Sequence, residues 1–179
     1  DDATGSASFP YQADDGREGI ERLAMKDRIA AALEHGHFEL HYQGVWRADG
    51  TLSHLEALLR LRSDDGTLVQ PAQFIPLAES SGHIPEVDAW VLDAAIARLG
   101  AAPAACIAVN VSGRTVREGS YIDRVAQALR RSGVAPQRLV VELTETAAVG
   151  DFVEARTFIQ RLRDIGGRIA LDDFGAGYS

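Results

Sequence analysis

RLVVELTETAAVGDFVEARTFIQRLRDIGGRIALDD, residues 138–173, decides the fold. It opens on RLVVEL, a short and almost continuous apolar run of the kind that forms a strand buried on both faces. Asp151 and Glu154 resemble a helix-start pair, with Asp in place of the usual Ser or Thr, ahead of FVEARTFIQRLRDIG. RIALDD is a second apolar run and ends on two carboxylates. Strand, helix and strand within one unit of ~30 residues predict a parallel pair with a crossover helix.

The alternation continues upstream. CIAVNVS (106–112) is a further apolar strand, followed by a helix carrying Tyr121, Ile122, Val125, Ala126 and Leu129, with Gly133 and Pro136 punctuating its end. Before it, a helix from about Pro85 to Leu99 sets Val87, Trp90, Val91, Ala94 and Leu99 mainly on one side, and a helical stretch near PAQFIPLAES closes at Gly82. Asp64-Asp65-Gly66 reads as a loop. The first two strands differ. In FELHYQ, Phe38, Leu40 and Tyr42 alternate with Glu39, His41 and Gln43; Ala48-Asp49-Gly50 supplies turn chemistry, and LEALLRL follows. That pair is expected to be an antiparallel hairpin. Residues 20–33 read as an amphipathic helix ended by Gly36, and residues 1–19 as a linker or the tail of a preceding domain, with the main domain over 20–179. The expected class is α/β, a parallel sheet or barrel preceded by one antiparallel strand.

Composition narrows the function classes. Of 179 residues 46% are hydrophobic and 25% charged, which argues against disorder, collagen and coiled coil. The net charge of −8 disfavours a basic surface for a nucleic-acid polymer. Cys106 stands alone, so no intramolecular disulfide framework is possible. No apolar run reaches the ~18 residues that a membrane span needs.

Polar residues that interrupt apolar strands carry the chemistry. Glu56, Asn110, Glu142 and Asp172 follow one another at intervals of 54, 32 and 30 residues, and Asp173 adjoins the last. Equivalent positions in neighbouring βα units lie side by side, and in both barrels and open sheets the C-terminal strand ends form the site. Converging carboxylates cannot all stay ionised unpaired, and a divalent cation resolves the conflict. An all-oxygen donor set favours Mg²⁺, Mn²⁺ or Ca²⁺, and the Asp172-Asp173 pair suits two ions a few ångströms apart, as used for phosphodiester cleavage. Taken singly, a strand-end acid reads more readily as exposed or salt-bridged than as functional; the recurrence of these residues at βα spacing is what favours a hard-metal α/β enzyme. Arg60 shares a strand face with Glu56 and reads either as a phosphate grip or as an ion-pair partner. Gln43 ends its strand and reads as a base or metal-water contact, or as an exposed amide. His35, His37 and His41 lack a nearby cysteine and read poorly as a zinc site. Cys106 and Trp90 read as core. DDFGAGYS follows no Walker pattern and reads as a phosphate cradle or a mobile loop.

EALLRL (56–61), FIPLAESSG (74–82), NVS (110–112), ELTET (142–146) and DDFGAGYS (172–179) stand in the order found in EAL domains, which this chain resembles from about Asp27 to Ser179. These are bacterial phosphodiesterases that linearise cyclic di-GMP to pGpG. The resemblance implies a modified TIM-type β/α barrel with an antiparallel first strand. It implies that Glu56, Asn110, Glu142 and Asp172 ligate one Mg²⁺ or Mn²⁺, that Asp172 bridges to a second ion served by Asp173, and that Gln43 and Arg60 contact substrate. It also implies a homodimer, with DDFGAGYS linking dimerisation to metal geometry, a cytoplasmic bacterial setting, and an upstream GGDEF or sensor domain; ASFPYQADDGRE is similar to the end of a GGDEF domain. Two positions depart from the pattern: Gly44 where Pro is usual, which is expected to loosen that loop, and Ala176 where Thr is common. The family's catalytic Lys and later acids lie beyond DDFG, so no general base is assigned. A complete barrel needs ~250 residues, and the chain is expected to cover roughly the first two-thirds of one and to be inactive and unstable alone. The alternatives are a catalytically silent cyclic di-GMP receptor and a dimerisation module.

Overall fold

A strand with period-two alternation can seal only one face under helices, and the sheet here is built on that rule. The computed structural model describes residues 14–144 and 152–172. In chain order these form α1 (Asp14–His35), β1 (Phe38–Trp46), β2 (Leu52–Arg62), β3 (Leu68–Val69), α2 (Pro71–Ser81), α3 (Ile84–Ala101), β4 (Ile107–Val111), α4 (Gly113–Arg117), α5 (Tyr121–Ser132), a 3-10 turn (Pro136–Arg138), β5 (Leu139–Thr144), α6 (Phe152–Ile165) and β6 (Arg168–Asp172). The sheet runs β1-β2-β4-β5-β6, with β3 on the far half of β2. β1 pairs antiparallel with β2 from Phe38↔Leu61 to Trp46↔Leu52, and β2, β4, β5 and β6 are parallel. The hairpin and the parallel order are as expected from the sequence.

One face of the sheet carries the core. Leu59, Leu61, Val109, Val141 and Leu143 are buried there against Phe74 of α2, Leu92 and Leu99 of α3, Ile122 and Val125 of α5, and Phe158 and Leu162 of α6. Phe38 of β1 meets Phe74 and Trp90 with ring centroids 6.0 and 5.5 Å away, so Trp90 joins the core as read from its helical stripe. α2 stops at Gly82, whose φ of +87° is costly for any residue with a Cβ.

Four expectations change. α1 begins at Asp14, six residues before the apolar stripe, and its early apolar residues Ile20 and Leu23 are exposed while Ile29 and Ala32 are buried. The 64–66 loop is a hairpin turn into β3, in which Asp65 Oδ1 accepts from the backbone N–H and hydroxyl of Thr67 at 2.9 and 2.7 Å. Cys106 is half-buried rather than core: it precedes β4, and Arg168 Nη1 stands 3.5 Å from its Sγ. Gly44 does not loosen its loop but lies within β1, opposite Leu55, where a Cβ would come within 2.9 Å of Trp46 Nε1.

Two polar devices lock the strands to the helices. Arg138, just before β5, donates from Nε to the Ala105 carbonyl and from Nη2 to the Leu99 carbonyl, each at 2.8 Å, and also to the Ala102 carbonyl. It thus caps the end of α3 with a charge of the sign that a helix C-terminus favours. Asp88 of α3, 6% exposed, accepts from the Ser112 backbone N–H at 3.0 Å, and Ser112 Oγ accepts from the Thr115 N–H to start α4. Burial pushes the Asp88 carboxyl up to about 6, against the lowering pull of its bonds to Thr115 and Ser112.

Arg138→Met should leave three carbonyls without their charged donor and lower stability by on the order of 2–4 kcal/mol, read from urea unfolding. A raised carboxyl value means that the folded state holds its proton longer than the unfolded chain, so stability falls as pH rises from about 4 to about 6 and is level above. Asp88→Asn should therefore gain on the wild type over that window by on the order of 3 kcal/mol, measured as the difference between the two unfolding curves at each pH.

Candidate functional site

Because Ala57, Leu59 and Leu61 lie under the helices, His54, Glu56, Leu58 and Arg60 of β2 occupy the opposite face. Register extends that face across the sheet. Glu56 is level with Ala108, Asn110 with Glu142, and Glu142 with Ala170, while Gln43 of β1 is the cross-strand partner of Glu56. Residues far apart in the chain thus share one surface, with the small Ala108 fully buried among them.

Asn110 Nδ2 donates to Glu56 Oε1 at 3.0 Å. The bond orients the amide, commits its donor to the carboxylate and leaves Oδ1 as the atom able to accept. Glu142 Oε1 lies 3.5 Å from His54 Nε2, the two side chains being 12% and 13% exposed. Burial, aided by Arg168, holds the His54 imidazole below its ordinary value despite Glu56. His54 was legible in the sequence as the polar residue two before Glu56, hence on the same face, yet the motif reading passed over it.

Arg60 does not make the ion pair that one of its two readings called for. Its cross-strand partner Glu39 is held by Arg62, 2.5 Å away, and by His41 at 2.9 Å, which together lower the Glu39 carboxyl. Arg60 Nη1 donates instead to the Leu59 carbonyl at 2.8 Å, and no carboxylate among the described residues pairs with it. Gln43 is exposed at the hairpin, on the Glu56 side. Asp172 ends β6 opposite Thr144; its side chain, all of Asp173 and the rest of DDFGAGYS lie outside the described residues.

The donors present fit a hard divalent cation. Glu56 and Glu142 offer carboxylate oxygens and Asn110 an amide oxygen, with no thiol among them, a set that suits Mg²⁺ or Mn²⁺ better than zinc. Among the described residues no three His, Cys, Asp or Glu side chains gather closely enough to hold an ion by themselves.

Comparison with known proteins agrees with this frame. The family model described as "EAL domain" matches residues 26–179. The chain is 36% identical over 165 residues to the cyclic di-GMP phosphodiesterase NbdA of Pseudomonas aeruginosa, covering 89% of this chain and 21% of that protein. It is 32% identical over 167 residues to the cyclic di-GMP phosphodiesterase PdeF of Escherichia coli, covering 91% and 22%. The chain thus spans about a fifth of the length of these relatives. Among solved structures, a MucR phosphodiesterase in complex with c-di-GMP superposes with a TM-score of 0.80 at 34% identity, over 87% of this chain and 66% of that one. The EAL domain of FimX from Pseudomonas aeruginosa, bound to c-di-GMP, superposes with a TM-score of 0.79 at 27% identity, over 87% and 63%. The α/β sheet with its antiparallel first strand is the architecture of these domains, which are β/α barrels of the TIM type. The match runs through the strands that bear Glu56, Asn110 and Glu142 rather than around them, and it makes the chain a member of the EAL domain family.

Proposed function

We propose that the protein is a cyclic di-GMP phosphodiesterase, which opens the cyclic dinucleotide by hydrolysing one phosphodiester to pGpG. The observation that carries this reading is the Asn110–Glu56 bond of 3.0 Å, in register with Glu142 on one sheet face of an EAL domain. Glu56, Asn110, Glu142 and Asp172 would hold one Mg²⁺ or Mn²⁺, with Asp172 bridging to a second ion served by Asp173. Such ions supply the positive charge that a phosphoryl group gathers in its transition state and lower the pKa of water.

The chain's own side chains supply the remaining terms. Asn110 holds the Glu56 carboxylate in one orientation, which removes rotamer freedom before substrate arrives. Arg60, whose guanidinium is not neutralised by a described carboxylate, suits a two-pronged grip on a phosphate. Gln43 presents an amide beside Glu56 for a guanine edge. Cations at the acidic face also reconcile a chain of net charge −8 with a doubly anionic substrate. The same reading includes a homodimer, an upstream GGDEF or sensor domain, the domain bounds near residue 20, and a cytoplasmic setting where the nucleotide circulates. No helix among the described residues is long and apolar enough to cross a membrane.

Formation of pGpG from cyclic di-GMP in Mg²⁺ or Mn²⁺, followed by chromatography, tests the proposal. Glu56→Ala should cut turnover at least 100-fold with an unchanged circular dichroism spectrum; retained activity would remove Glu56 from the site. Nucleotide binding without pGpG by a version extended to the family's full length would replace the enzyme with a receptor. Arg60→Ala should raise KM about tenfold, the weight of one charged hydrogen-bonded contact.

A further inference from the structure

The two carboxylates of the candidate site are treated alike by the fold. Glu56, on β2, receives a neutral donor from β4, the Asn110 amide. Glu142, on β5, faces a ring nitrogen from β2, His54 Nε2, across 3.5 Å. A neutral donor orients a carboxylate without cancelling the charge that a cation needs, whereas a Lys or Arg in the same place would compete with the ion. β4 lies between β2 and β5, and at the crossing it carries Ala108, fully buried and too small to stand between the imidazole and the carboxylate. The other ring nitrogen is also engaged: Nδ1 lies 3.1 Å from the Ser53 hydroxyl. With that hydroxyl donating, the ring proton sits on Nε2, which is the nitrogen that faces Glu142.

We infer that His54 is a positioning residue for Glu142: Ser53 Oγ–H fixes the imidazole as its Nε2–H tautomer, and Nε2–H holds the Glu142 carboxylate in the orientation that ligation requires. The inference rests on the reading of Glu142 as a metal ligand. A separation of 3.5 Å is loose for a formed hydrogen bond, and a small adjustment of either side chain brings it within the ordinary range. His54 touches neither the reacting phosphate nor the ion in this scheme and acts through Glu142 alone. Partners at one remove from a metal typically change its affinity 10–100-fold when deleted.

Mn²⁺ binding to the protein, followed by electron paramagnetic resonance without nucleotide, is the test, together with ¹H–¹⁵N ring spectra of the wild type. His54→Ala should weaken Mn²⁺ about 10–100-fold. His54→Gln, which restores an amide N–H near the Nε2 position, should recover most of that loss, and the His54 ring should show the Nε2–H tautomer. Wild-type affinity in His54→Ala, equal loss in His54→Gln, or an Nδ1–H ring would each overturn the assignment. Should His54→Ala not fold, His54→Gln and the ring spectra decide the matter unaided. Glu56→Ala separates the two levels: loss of Mn²⁺ there with no effect at His54 rejects the positioning role alone. Binding that Glu56→Ala leaves intact, or no binding by the wild type, rejects the site and the positioning role with it.

Discussion

The site depends on the sealing of one sheet face. Leu59, Val109 and Val141 are packed under α3, α5 and α6, and the pleat leaves their neighbours Leu58, Asn110 and Glu142 no choice but the other side. A slip of one residue in β4 or β5 would place Asn110 or Glu142 in the hydrocarbon core, where an unpaired amide or carboxylate costs several kcal/mol. Hydrophobic packing thus sets the position of the polar groups, and it does so from the face they do not occupy.

Much of this was legible in the sequence, for a definite reason. After the arginines that open them, RLVVEL and RIALDD run apolar up to Glu142 and Asp172, so those two stood out as exceptions that burial alone does not explain. FELHYQ alternated strictly, and β1 is indeed half-covered, with Phe38 buried and His41 exposed. The same logic left short elements invisible. β3 is two residues and α4 five, both below the length at which periodicity has content. Cys106 looked apolar by its neighbours, yet it stands one residue before β4, where the strand meets the Arg168 guanidinium.

What could not be read were contacts between residues of unrelated position. Nothing in the string pairs Arg138 with three carbonyls at the end of α3, or Asp88 with the Ser112 N–H on the far side of β4. Both devices tie α3 to the strands that bear the site, one beside the start of β5 and the other just beyond Asn110. The motifs NVS and ELTET therefore rest on residues outside either motif. His54 belongs to the same class: its role follows from where β5 comes to lie, although its face followed from β2 alone.

The close approach at Gly44 has an optical consequence. Trp46 is 65% exposed, its indole lying over the glycine within the hairpin, whereas Trp90 is partly buried against Phe38. These are the two tryptophans of the chain. Their emission divides accordingly into a red-shifted, quencher-accessible component from the hairpin and a blue-shifted component from the core. The molecule therefore carries separate native fluorophores for the strand that bears Gln43 and for the helix that bears Asp88, and events at one can be timed against events at the other without any added label.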